Sequence, residues 1–261
     1  MKNLLKLDAK HYALNSNFQY SQAKDLLGLV NFQHNASVLD VGCGHGHIIA
    51  EISQMIPDGD AVGIDASKQM ISFAKERFKS EVYRNLKFFH MKAEDMHFAK
   101  DSFDLIICTN VLMWIRKPKK ALEIMITSLK KGGNLVIITY PTDTPYAILF
   151  EEVLNELFPH LRKKSALETM LSPNQYKRIF EINELKMLCF DIEDTTFIYE
   201  DWNDFKNYVK GWLVCYAPLT ECQQEEFLTA LCQKVREKGY FIPKTPIAIP
   251  HQTLKIISKK P

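Results

Sequence analysis

The chain has 261 residues, of which 46% are hydrophobic and 25% charged, with a formal net charge of +2. That length buries a full core, and it reads as one domain over 1–261 with an inserted or appended cap rather than as two independent units. So small a charge, with lysines and arginines interspersed among acids, argues against a nucleic-acid surface; Arg116-Lys117-Pro118-Lys119-Lys120 and Arg162-Lys163-Lys164 read as solvated clusters. The six cysteines (Cys43, Cys108, Cys189, Cys215, Cys222, Cys232) form no Cys-x-x-Cys pair and read as reduced thiols of a cytoplasmic protein. The apolar part of 1–8 is too short for a signal peptide, and no apolar run of membrane-spanning length occurs, so no membrane association is expected.

In chain order, residues 10–31 read as a helix, with Ala23, Leu26, Leu27 and Val30 at helical spacing after a polar start at Ser21. Strand and helix then alternate: strands over 37–41, 61–65, 86–90, 103–108 and 134–139, with helices from about 48, over 68–79 and over 118–129. This order implies right-handed crossovers and a mostly parallel, doubly wound sheet covered on both faces, with ligands bound at the carboxyl ends of its strands.

The densest chemistry lies at those ends. Val38-Leu39-Asp40-Val41-Gly42-Cys43-Gly44-His45-Gly46 is an apolar strand running into an Asp-x-Gly-x-Gly-x-Gly turn, with glycines where a side chain would meet a ligand. The next strand ends on Asp65, 19 residues after Gly46, a position suited to holding ribose hydroxyls. Ser67 can cap the following helix and leave Asp65 free. A nicotinamide-type Gly-x-Gly-x-x-Gly frame fails, because counting from Gly42 and Gly44 its last position is His47. His45 and His47 only flank a glycine on this turn, and no metal is expected.

These segments resemble motif I and the following acidic strand of class I S-adenosylmethionine (SAM)-dependent methyltransferases. Ala93-Glu94-Asp95-Met96, the strand Phe103 to Asn110, and the turn Leu129-Lys130-Lys131-Gly132-Gly133 into the fifth strand resemble the family's later motifs in the same order. The resemblance implies a Rossmann-like α/β fold with a seven-stranded sheet whose seventh strand is antiparallel, and SAM as cofactor. It implies a SAM-binding core over 37–140 and a lid helix over 10–31. It further implies cofactor contacts at Asp40, Gly42, Cys43, Gly44, Asp65, Ala66, Met70, Ala93, Glu94, Asp95, Met96 and Asn110, with Asp65 on the ribose and Asp95 near the adenine amino group.

After Tyr140 the pattern changes. Residues 142–161 look helical, Ser172-Pro173-Asn174-Gln175 is a helix start, 188–197 reads as a strand, Thr220-Glu221-Cys222-Gln223 is a capping box opening a helix to about 238, and 253–258 alternates as a last strand. The helices within 141–185 and 201–238 are assigned to a cap over the substrate pocket. Tyr12, Gln19, Tyr20, Trp114, Trp212 and Tyr216 are the candidate acceptor-lining residues, although aromatic side chains are more often plain core. The pattern of Tyr12, Ser16 and Gln19, with the stretch from Trp202 to Leu213, is similar to the trans-aconitate and juvenile-hormone-acid methyltransferases, which esterify carboxylates. Several relatives carry histidine where this chain has Met113, and a carboxylate, ionised at neutral pH, needs no such base. The expected function is therefore SAM-dependent methylation of a small molecule, probed first as carboxyl O-methylation. The alternatives are C- or N-methylation of a small metabolite and a catalytically silent SAM-binding protein.

Overall fold

The computed structural model describes residue 22 and residues 24–261, without the side chains of Val214 and Cys215. Among them seven strands form one sheet in the order β3-β2-β1-β4-β5-β7-β6. They are β1 (Ser37–Val41), β2 (Asp60–Asp65), β3 (Leu86–His90), β4 (Phe103–Thr109), β5 (Leu129–Thr139), β6 (Lys186–Tyr199) and β7 (Ile247–Lys259). The first five pair in parallel, and β7 runs antiparallel to both β5 and β6. The helices are α1 (His47–Met55), α2 (Lys68–Arg77), α3 (Pro118–Ser128), α4 (Pro145–Leu157), α5 (Pro173–Ile182), α6 (Trp202–Tyr216) and α7 (Glu221–Glu237).

The two-residue period of the central strands sorts their side chains between the two faces. Leu39, Ile106 and Leu135 join α3 in one buried cluster, while Val38, Leu105, Ile107 and Val136 join α1 in another. Strands covered on both sides must be apolar at nearly every position, which is why 38–41 is hydrophobic but for Asp40 and 103–108 but for Asp104.

A third cluster lies beyond the strand ends. Phe150, Val153 and Leu154 of α4, Phe205, Val209 and Leu213 of α6, and Phe227, Leu228 and Leu231 of α7 pack with Ile247 and Ile249 at the start of β7. Helix α5 stands apart from this group: Tyr176 and Phe180 are buried in the sheet's own cluster with Leu39 and Ile106. The expectation that every helix within 141–185 belongs to a cap is corrected for α5, because its apolar stripe faces the sheet.

The capping box expected at Thr220 forms, and the helix start expected at Ser172 is a capping box as well. Ser172 with Gln175 opens α5, and Thr220 with Gln223 opens α7. Two strands exceed their sequence boundaries. β5 starts at Leu129 because the Gly132-Gly133 pair bulges within the strand instead of ending it; Gly132 has φ 77°, and its N–H donates to the Lys260 carbonyl at 2.8 Å. β7, expected over 253–258, reaches back to Ile247 across Pro250. Beyond Leu254 it has lost β5 as a partner and pairs only with β6, so a proline lacking its N–H is tolerated there. Of the helix expected over 10–31, only the end is described: helical bonding stops near Gly28, whose N–H donates to the Lys24 carbonyl at 3.0 Å. No helix among the described residues is long and apolar enough to cross a membrane.

Candidate active site

Strand β1 runs into three glycines of positive φ, Gly42 at 76°, Gly44 at 54° and Gly46 at 81°. This left-handed backbone is open to glycine and costly for residues with a Cβ. At Gly42 a Cβ would also fall onto the Val111 side chain, and at Gly46 it would come within 2.7 Å of the Phe88 ring. The glycines thus serve the turn and its packing as well as ligand approach.

The end of β2 holds the turn in place. The N–H groups of Gly42 and Cys43 donate to the Ile64 carbonyl at 2.8 and 2.9 Å. Asp65 then accepts from the Gly44 N–H on Oδ2 at 2.9 Å and from the Ser67 N–H on Oδ1 at 2.7 Å. Ser67 caps α2 as expected, its Oγ accepting from the Met70 N–H at 3.3 Å. Asp65 is not left free, but an ionised carboxylate offers about four lone-pair directions, so a ligand still finds acceptors on it. Burial pushes the Asp65 carboxyl above its ordinary range, against the lowering effect of the two N–H bonds and of His90.

A cavity of about 460 Å³ opens from this turn. Its walls include eight of the expected cofactor contacts, Gly42, Gly44, Asp65, Ala66, Met70, Ala93, Glu94 and Asn110, together with Trp114, Trp212 and Tyr216 of the expected acceptor set. Asn110 follows β4 directly, with φ 59°, a conformation that asparagine tolerates better than most residues. Its N–H donates to the Ile138 carbonyl at 2.7 Å, while both polar atoms of its side-chain amide are buried without partners among the described residues.

Four expected contacts fall outside the wall. Asp40 is buried within β1, its Oδ2 unpartnered among the described residues. Burial first, and the Asp65 charge second, push its carboxyl up to about 7. Cys43 and Met96 are packed into the clusters on the two faces of the sheet. Asp95 is exposed, 3.9 Å from the Lys120 ammonium. Ala93–Asp95 form a 3₁₀ turn, in which successive side chains diverge by about 120°, so Ala93 and Glu94 reach the cavity and Asp95 points away from it. Tyr12, Gln19 and Tyr20 lie outside the described residues. No group of three side chains suited to hold a metal ion occurs among the described residues.

The far end of the cavity is aromatic, and sequence reading missed much of it. Tyr146 and Phe150 on α4, Phe197 on β6, Tyr208 on α6 and His251 on β7 all line it. Phe150 lies 4.8 Å from Trp212 by ring centroids, and Trp212 lies 5.7 Å from Trp114. The hydroxyls of Tyr146 and Tyr199 are 3.5 Å apart, and burial pushes both well above the usual phenol range. Trp114 and Trp212 therefore pack on the third cluster and face the cavity at once. Two signals were available in the sequence. Tyr146 and Phe150 share a helix face four residues apart, and Ile247, Ile249, His251 and Thr253 alternate along one side of a strand. Arg116 is exposed where it borders the cavity.

Residues 32–184 match the sequence profile of the family described as methyltransferase domain. The chain belongs to that family. It is 32% identical over 142 residues to the demethylmenaquinone methyltransferase of Lactococcus lactis, a match covering 53% of the chain and 54% of that relative. It is 27% identical over 150 residues to a malonyl-[acyl-carrier protein] O-methyltransferase of a Paenibacillus species, covering 54% and 52%. The chain spans about half the length of these curated relatives. Its fold is that of the solved YcgJ protein of Bacillus subtilis, with a TM-score of 0.66 at 20% identity over 93% of this chain and 97% of the other.

Proposed function

We propose that this methyltransferase uses SAM to methylate a small, largely apolar molecule at a carboxylate oxygen. The observation that carries the reading is the continuity of one cavity, from the Gly42–Asp65 turn to the aromatic end at Trp114, Phe150 and Trp212. The residues present fit the cofactor. Asp65 faces the cavity with lone pairs to spare, Asn110 offers an amide with no partner among the described residues, and the positive-φ glycines keep side chains away from the turn. SAM, when bound, supplies an electrophilic methyl group on a sulfonium sulfur.

Asp65 would accept the ribose hydroxyls, while Glu94 and Asn110 supply further polar contacts. The aromatic walls exclude water from the acceptor. A desolvated, aligned nucleophile gains on the order of 7–11 kcal/mol from positioning, which removes the need for a dedicated base. Met113, 3% exposed in the cavity wall, cannot act as one. A carboxylate arrives ionised, with a reference pKa near 4, and Arg116 gives the mouth a complementary charge. The printed name of the Paenibacillus relative, an O-methyltransferase, supports the same chemistry.

A second reading, C- or N-methylation, is favoured by how little charge the aromatic end carries. Methyl esters are cleaved by mild alkali, so radiolabelled methyl moved from SAM into a small-molecule extract should become volatile methanol after base. Alkali-stable label would reject esterification and select the second reading, leaving the cofactor assignment untouched.

A further inference from the structure

Within the aromatic end of the cavity, His251 is a polar group with nothing to bond. It is 3% exposed, and neither Nδ1 nor Nε2 has a hydrogen-bond partner among the described residues. Its ring stacks on Phe197 at 4.2 Å and 24°, and meets the rings of Tyr140 and Tyr146 edge-on at 4.4 and 5.8 Å. The backbone around it is well supported, since the His251 carbonyl accepts from Thr195 Oγ1 at 3.4 Å and the next N–H donates to Thr144 Oγ1 at 2.9 Å. The imidazole is thus held firmly in the wall, with its bonding capacity unspent.

Buried polar side chains are nearly always paired, and leaving one unpaired costs roughly 1–3 kcal/mol. Phenylalanine or leucine would fill the same place against Phe197 and Tyr146 without that cost. A second orphan lies along the same aromatic row: the Tyr216 hydroxyl, on a residue 4% exposed, also has no partner among the described residues. Tyr216 packs 5.3 Å from Phe150, which stacks 5.0 Å from Tyr146. The row therefore carries an unsatisfied polar group at each end, His251 from β7 and Tyr216 from α6, with apolar rings between them.

We propose that His251 is an acceptor-binding residue, whose imidazole N–H donates to an oxygen of the methyl acceptor and so fixes that molecule's orientation along the aromatic row. This rests on the methyl-transfer reading above. The ligand it implies has an apolar body that lies along the aromatic rings and an oxygen at the end that meets His251. The half-buried Tyr140 ring stands edge-on to the imidazole in the same cavity wall. Burial keeps the imidazole neutral by lowering its pKa to about 3. A neutral imidazole offers one donor and one acceptor nitrogen, so it orients an oxygen nucleophile without neutralising its charge.

The test compares wild type, His251→Phe and His251→Gln. SAH (S-adenosylhomocysteine) affinity is measured by calorimetry, and label transfer from SAM is measured into serial dilutions of a small-molecule cell extract. The expected result is unchanged SAH affinity for all three. His251→Phe should need about tenfold more extract for half-maximal transfer, and His251→Gln, which keeps an N–H donor, should recover most of that loss. Half-saturation of His251→Phe at the wild-type dilution would overturn the proposal, as would an equal loss of SAH affinity. Wild type that binds SAH and transfers no label would instead remove the methyl-transfer reading itself. A mutation-free check is the ring ¹⁵N spectrum of the wild-type SAH complex. A shift of one neutral histidine on adding extract supports the proposal, and histidine signals that do not move overturn it.

Discussion

The backbone N–H of Gly44 donates to Oδ2 of Asp65 at 2.9 Å, tying the glycine turn after β1 to the tip of β2. One carboxylate therefore shapes the turn and faces the cavity that the turn borders. Replacing Asp65 removes both roles, and the two losses separate experimentally.

Asp65→Ala should weaken SAH binding by about 1.5–3 kcal/mol, the scale of hydrogen bonds to a charged group. It should also lower Tm, because the Gly44 and Ser67 N–H groups lose their acceptor. Asp65→Asn, which keeps one acceptor oxygen, should recover part of the Tm and less of the affinity. Calorimetry and thermal melts check both arms. An unchanged dissociation constant in folded Asp65→Ala would reject the ribose assignment, and displacement of SAH by NADH would revive a nicotinamide site.

Asp40 makes the fold sensitive to alkali. Burial raises its carboxyl from 3.8 to about 7, so the native state holds a proton that the unfolded chain has already released. Its contribution is fully present below the unfolded value and is lost as pH rises through about 7. Each unit corresponds to about 1.4 kcal/mol, so the whole span is on the order of 4 kcal/mol. Asp40→Asn should therefore raise Tm more at about pH 8 than at about pH 5. Equal shifts at both would show that Asp40 titrates normally.

His251 should make it sensitive to acid. Its pKa is lowered by burial from 6.5 to about 3, so its contribution is present above the unfolded value and is lost as pH falls through that window. His251→Phe should flatten the decline of denaturant stability between about pH 6.5 and 3, whereas Asp40→Asn, which removes an opposing contribution between 3.8 and about 7, should steepen it. A parallel decline in wild type and His251→Phe would contradict this.

Gly42→Ala should destabilise the protein, since its Cβ would fall on the Val111 side chain at a φ of 76°. Overpacking of this kind costs about 1–3 kcal/mol. Val111→Ala in the same chain should restore the packing part and leave the backbone strain. Denaturant melts of the two single variants and the double variant measure the split. Strict additivity would mean that the two sites do not touch.

Trp212→Ala should impair acceptor turnover more than SAM affinity, because Trp212 meets Phe150 and Trp114 at the aromatic end of the cavity. Kinetics on both substrates decide this. Equal losses would make Trp212 a shared core residue instead.

The cofactor end was legible because its requirements are local. A strand, three glycines and an acid at a strand tip each leave a mark within a few residues, and β1 and β3 were bounded correctly from such marks. Asp95 shows the limit of this reasoning. Neighbours in one 3₁₀ turn have the same sequence context, and only the rotation of the turn decides that Glu94 faces the cavity while Asp95 meets Lys120. The acceptor end depends on contacts between residues about 100 apart, such as Tyr146 with His251, and these leave no periodic trace. His251 also lies outside the strand expected over 253–258, in the part of β7 that pairs with β6 alone.

The stretch of β7 that pairs with β6 alone carries the cavity wall beyond the end of β5. The wall around the glycine turn is written between Gly42 and Asn110, and the aromatic wall between Tyr140 and His251 apart from Trp114. Under the proposed function, substitutions in the later segment would retune which molecules are accepted while the donor site keeps its shape. Exchanging residues 140–251 between relatives is thus a rational route to new acceptor selectivity on an unchanged donor half.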